Sequence, residues 1–251
     1  TIGGTVANSI RQQTNGITAG IMILNPTIDD NVNNNTIRNI THDNVGVTGS
    51  IRGIDVQASG GRHTITGNTI FNLTSNSTNV AINNAASVVG ITMTGSAIGG
   101  GNISGNTVFN LTNTNTTVAG FIQGMYFGTA VVPQQTTTIS RNFVHSINLA
   151  SATGGMAGIN LPNTGNARVF NNMVRLGVDA GGAPITTSLQ INGIVKASTG
   201  SMSIFANTVY IGGTGVASGT VNSFAFRRTT SPTLGNDTLM NNIFYNARSN
   251  A

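Results

Sequence analysis

Apolar and polar positions along this chain recur in one phrase: apolar, two residues, Asn, one residue, apolar. It reads Val32-Asn-Asn-Asn35-Thr-Ile37, Ile65-Thr-Gly-Asn68-Thr-Ile70 and Ile103-Ser-Gly-Asn106-Thr-Val108. It continues as Ile139-Ser-Arg-Asn142-Phe-Val144 and Val169-Phe-Asn-Asn172-Met-Val174. It closes with Ile204-Phe-Ala-Asn207-Thr-Val209 and Leu239-Met-Asn-Asn242-Ile-Phe244. Val6-Ala-Asn8-Ser-Ile10 reads as a worn earlier copy. The Asn residues stand 33, 38, 36, 30, 35 and 35 positions apart. A second marker, Gly followed by alternating apolar residues, precedes six of them by 14 to 18 positions: it opens at Gly20, Gly53, Gly90, Gly124, Gly158 and Gly193. Ser223-Phe-Ala-Phe226 reads as the seventh marker without its Gly.

Within each unit the local period is two, which predicts short strands separated by Asn, Gly and Ser turns. No segment is long enough for a crossover helix, which argues against a doubly wound α/β sheet. A propeller blade has a similar length, but its hairpin turns of the Asn-Gly or Asp-Gly kind are nearly absent. A parallel coil explains both markers. Successive rungs stack at about 4.8 Å, so an inward Asn at the same bend of every rung forms a ladder of bonded amides. The expected structural ladder is Asn35, Asn68, Asn106, Asn142, Asn172, Asn207 and Asn242. The fold class read from the chain is all-β: a right-handed parallel β-helix of seven to eight rungs of roughly 35 residues. It forms one domain over residues 1–251, expected to be a piece of a longer solenoid because neither end shows a capping repeat.

Composition agrees. Charged residues make up 7 % of the chain, with no Glu and a single Lys, and Asn, Thr, Ser and Gly supply the polarity. Helical proteins carry Glu and Lys on their exposed faces, so helix is disfavoured. The net charge of +5 comes from eleven Lys and Arg against six Asp. The basic residues are scattered, with Arg227-Arg228 the one adjacent pair, so no nucleic-acid partner is expected. Absence of Cys excludes disulfides, and no stretch approaches the ~20 apolar residues of a membrane span.

The stretches Ile65 to Leu73, Ile103 to Leu111 and Leu239 to Ala251 resemble the β-helix repeats of the pectin-lyase-like superfamily. More narrowly, they are similar to long Asn/Thr/Gly-rich surface proteins of Bacteroidetes-type bacteria. The resemblance implies export, commonly through a type IX pathway, and an extracellular or cell-surface location. It also implies that relatives include lyases and hydrolases acting on acidic polysaccharides.

Those enzymes need converging carboxylates, two of them about 5 to 9.5 Å apart in glycosidases. The six Asp here are dispersed, the hydrolase Asn-Thr-Asp, Gly-His-Gly and Arg-x-Lys elements are absent, and only the Asp29-Asp30 doublet remains. Repeat register gives that doublet another role, because it occupies the positions of Arg62-His63 one rung later and predicts a cross-rung ion pair. His42-Asp43 reads as a loop pair without a Ser nucleophile. The expectation is no catalytic residue, no metal site and no cofactor.

Strand alternation turns the first and third positions after each ladder Asn outward. The first column is Thr36, Thr69, Thr107, Phe143, Met173, Thr208 and Ile243. A Thr array of the ice-binding kind is broken at Phe143. The second column is Arg38, Phe71, Phe109, His145, Arg175, Tyr210 and Tyr245, a candidate binding stripe. Three readings stand: loops fold over it, a glycan stacks on it, or a protein partner covers it. The chain reads as a structural or adhesive solenoid, a stalk, adhesin or filament component whose partners are glycans, other surface proteins or flanking repeats. A polysaccharide lyase or hydrolase, or a glycan-binding module without turnover, is the alternative.

Overall fold

The computed structural model describes residues 1–98, 100–131, 135–162, 165–217, 219, 221–230 and 236–249. Asn250 and Ala251, the end of the last quoted stretch, lie outside them. The described chain is all-β, with strands in three parallel sheets of eight, seven and seven strands. A representative rung runs through His63–Thr66, a bend at Asn68, Thr69–Ser75, a loop, and Val88–Ile98. In each sheet every strand pairs in parallel with the equivalent strand one rung away. The chain is therefore a parallel β-solenoid of about six turns, slightly fewer than the repeat count suggested.

The core is one continuous cluster filled by inward columns from all three sheets. The third sheet contributes Val32, Ile65, Ile103, Ile139, Val169 and Ile204, paired rung to rung. The first sheet, just past the bend, contributes Ile37, Ile70, Val108, Val144, Val174 and Val209. Parallel sheets of α/β proteins are covered by crossover helices. Here the inner faces shield one another and no helix is required.

The Gly marker has a steric cause. Gly53, Gly90, Gly124, Gly158 and Gly193 sit in the second sheet directly under the β-branched residues of the first. A Cβ on Gly124 would lie 2.3 Å from Val144 Cγ1 and 2.6 Å from the carbonyl oxygen of Gly158. The close approach of the two walls excludes any side chain there. At the seventh rung Ile191 pairs with Ser223 and Ile194 with Phe226. Ala225 thus takes the Gly place, and the marker reading that began at Ser223 is shifted by two residues.

Two other sequence expectations change. Ile2 bridges Ile37, and Ile10 pairs with Ile40. Asn8 is therefore not the counterpart of Asn35, and Val6–Ile10 is not a worn copy of the phrase. His42 is not in a loop: it ends the strand Thr36–His42 and points inward, fully buried, with Nε2 3.2 Å from the carbonyl of Thr14.

Candidate functional site

Each bend begins with a residue in the left-handed conformation. Asn34, Gly67, Gly105, Arg141, Asn171, Ala206 and Asn241 all have φ between 52° and 66°. This reverses the chain just before the ladder Asn and turns its side chain inward. The amides then form one unbroken file. Nδ2 of Asn35 donates to Oδ1 of Asn68 at 3.1 Å, Asn68 to Asn106 and Asn106 to Asn142 at 2.9 Å. Asn142 donates to Asn172 at 3.0 Å, Asn172 to Asn207 and Asn207 to Asn242 at 2.9 Å.

Each amide oxygen also accepts the backbone N–H of the preceding ladder residue, as Asn106 Oδ1 does from Asn68 at 3.0 Å. The second Nδ2 proton goes to a core-strand carbonyl one rung back, as from Asn106 to Ile65 at 2.8 Å. An interior member thus uses both donors and both acceptor sites of its amide. Burial without water has no cost in unpaired polar groups.

The outward column of the same sheet keeps strict register. Arg38 pairs with Phe71, Phe71 with Phe109, Phe109 with His145, His145 with Arg175, Arg175 with Tyr210 and Tyr210 with Tyr245. The structure therefore brings all seven stripe residues into one file. Phe71 and Phe109 stack at 4.9 Å and 4°, Phe109 and His145 at 5.0 Å and 4°. The Arg38 guanidinium lies 5.9 Å from the Phe71 ring. Rung spacing itself sets the stacking distance, so the rings meet without adjustment. Tyr210 and Tyr245 are farther apart, 5.9 Å and tilted by 35°. Phe71, Phe109 and His145 are half-buried, whereas Tyr245 is 60 % exposed. Burial, then the neighbouring charge of Arg175, holds the His145 imidazole below its ordinary 6.5.

Five of the six carboxylates accept a hydrogen bond from a nearby group, and Asp30 approaches its neighbour without one. Asp30 Oδ2 lies 3.5 Å from Nδ1 of its register partner His63, and Asp29 accepts the Arg62 backbone N–H at 2.7 Å. Asp43 pairs with Arg11, which holds its carboxyl below the usual range. Asp179 accepts the N–H of Ala183 across its own turn. Two ion pairs are fully buried: Arg52 with Asp55 at 2.6 Å and Lys196 with Asp237 at 2.9 Å. Among the described residues no group of three His, Cys, Asp or Glu converges as metal ligands would.

Segment 80–84 lies over part of the second sheet. Gln123, on the outer face of that sheet, is buried and donates to the carbonyl of Asn83 at 2.6 Å. The segment that follows Thr69–Ser75 thus crosses the neighbouring face. Beyond it lies a groove floored by Ala157, Asn160, Asn192 and Val195, which no repeat marker announced.

No protein-family model, no curated protein and no solved structure matches the chain. Among the described residues no helix is long and apolar enough to cross a membrane.

Proposed function

We propose that this chain is an exported structural solenoid: a stiff stalk, adhesin or filament component at a bacterial surface, without catalytic turnover. The observation that carries the reading is the amide file. It joins seven successive bends through side chains as well as through three sheets, so its hydrogen bonds run along the long axis. Parallel bonds in every rung resist extension together. The carboxylates support the same reading: Asp29, Asp43 and Asp237 bond to neighbouring rungs, and Asp55 and Asp179 bond within their own strand and turn. The repeat phrase supports kinship with pectin-lyase-like β-helices and with Bacteroidetes-type surface proteins delivered by a type IX route.

Single-molecule stretching along the axis tests the mechanical claim. Extension is expected in discrete steps of one rung, about 120 Å for ~35 residues at roughly 3.4 Å each. Smooth extension without steps overturns it. Incubation with acidic and neutral polysaccharides tests the absence of turnover. New reducing ends or unsaturated uronates would show an enzyme instead.

A further inference from the structure

The groove on the second sheet contains two polar atoms that the solenoid does not use. Its floor is set by the pairings Ala157 with Asn192 and Asn160 with Val195. Tyr126 and Ile82 stand at one end and Arg227 at the other, around a volume of about 350 Å³. Asn160 Oδ1 and Asn192 Oδ1 are buried there without a hydrogen-bond partner. Asn192 is 2 % exposed. The orientation of the Asn160 amide is fixed, because its Nδ2 donates to Gln123 Oε1 at 2.8 Å. A buried amide oxygen with no donor is costly, so an N–H or O–H group that reaches either oxygen as the groove side chains adjust relieves that cost.

The same face shows what lies over such amides. Gln123 shares a column with Ala157 and Asn192. It sits beneath the chain's own segment 80–84, donating to the carbonyls of Ile82 and Asn83 at 3.4 and 2.6 Å. That cover is a peptide, and Ile82 at its edge forms part of the groove wall. Val80 and Ile82 remain 54 % and 68 % exposed, so the apolar surface continues past the point where the cover stops. At the far end the Arg227 guanidinium lies 5.2 Å from the Phe224 ring. No ion pair to Arg227 is present among the described residues.

We infer that this groove docks an extended peptide segment of a partner protein, carrying an apolar residue beside an acidic one. The peptide backbone supplies N–H donors to Asn160 Oδ1 and Asn192 Oδ1. The apolar side chain rests between Tyr126 and Val195, and the acidic side chain meets Arg227. This goes beyond the stalk reading and holds whether or not the coil bears force.

The test pans a library of random displayed peptides against the folded full chain, then measures the enriched peptide by fluorescence polarisation. Saturable binding is expected, with an apolar-acidic pair common to the enriched sequences. Asn192→Leu removes an unpaired oxygen, so its melting temperature should hold or rise while affinity falls at least tenfold. Arg227→Glu should shift selection toward basic peptides. The proposal is overturned by any of three results: no enrichment on folded protein, enriched peptides that bind wild type and Asn192→Leu equally, or saturation by neutral or uronate oligosaccharides where peptides fail. Unfolding of Asn192→Leu would also overturn it, because the oxygen would then be structural.

Discussion

Two files of amides run along the first sheet, and they obey different rules. The bend file is unbroken from Asn35 to Asn242. The second file sits four residues later, at Asn39, Asn72 and Asn110, each in the left-handed conformation with φ of 58°, 56° and 53°. Its Nδ2 groups donate backward: Asn72 to Asn39 at 3.0 Å and Asn110 to Asn72 at 2.5 Å. At the fourth rung Ser146 holds the same conformation, φ 55°. In later rungs the file disappears. Strands Met173–Leu176 and Thr208–Ile211 have four residues instead of seven, and Leu176 and Ile211 point inward where the amide stood.

Backbone dependence explains the contrast. At the bend, the N–H of one rung and a core-strand carbonyl of another both rely on the amide, so the rung fails without it. In the second file the amides bond one another, and a single backbone group, the Gly4 carbonyl, accepts from Asn39 at 2.7 Å. Any residue tolerant of positive φ suffices there, and Asn and Ser are adequate.

The sharpest break of this comparison is Asn106→Leu against Asn72→Gly. Leu at 106 leaves the N–H of Asn68 and the carbonyl of Ile65 without these partners, while Asn68 Nδ2 keeps the carbonyls of Val32 and Thr66. Two orphaned buried groups predict a loss of about 2–4 kcal/mol in denaturant unfolding. Asn72→Gly keeps the backbone conformation and removes partly exposed bonds, so a loss of about 1 kcal/mol or less is expected. Equal losses would show that the two files carry the same structural weight.

The bend file was legible because its requirement repeats in every rung and no other side chain meets it. The stripe was legible because strand parity carries from one rung to the next. The left-handed residue before each ladder Asn was visible as Asn or Gly at five positions, but Arg141 and Ala206 masked it. Local sequence was ambiguous at the seventh marker, since an apolar alternation without its Gly slides by two residues at no cost in pattern. The groove at Asn192 was not legible. Whether an outward amide is buried and unpaired depends on loops from other rungs, whose paths the repeat does not encode.

Ala206 sharpens the bend side of the comparison at a smaller energy. It adopts φ 54° with a Cβ and no side-chain amide to bond locally. Gly67 and Gly105 fill the same place in earlier rungs at 65° and 66°. Ala206→Gly should therefore raise stability by about 1 kcal/mol, read as a shift of the unfolding midpoint at constant slope. An unchanged or lower midpoint would mean that the bend is held without strain at this rung.

The smallest expected effect tests how the region around the second amide file shields the stripe. His145 lies where the second amide file ends, stacked on Phe109 and 2.9 Å from Ser146 Oγ through Nδ1. Burial is the larger cause of its lowered pKa and Arg175 the lesser. The folded chain thus binds this proton less readily than the unfolded chain, whose imidazole titrates near 6.5. Stability contributed by neutral His145 is complete above that value and declines as pH falls below it, levelling off under the folded pKa. His145→Phe extends the Phe71–Phe109 stack and carries no proton. Its stability should be nearly flat between pH 7 and about 5 with respect to this site, while wild type declines. Parallel pH profiles of the two proteins would show that the stack does not desolvate the imidazole, and the stripe would then be as open at His145 as it is at Tyr245.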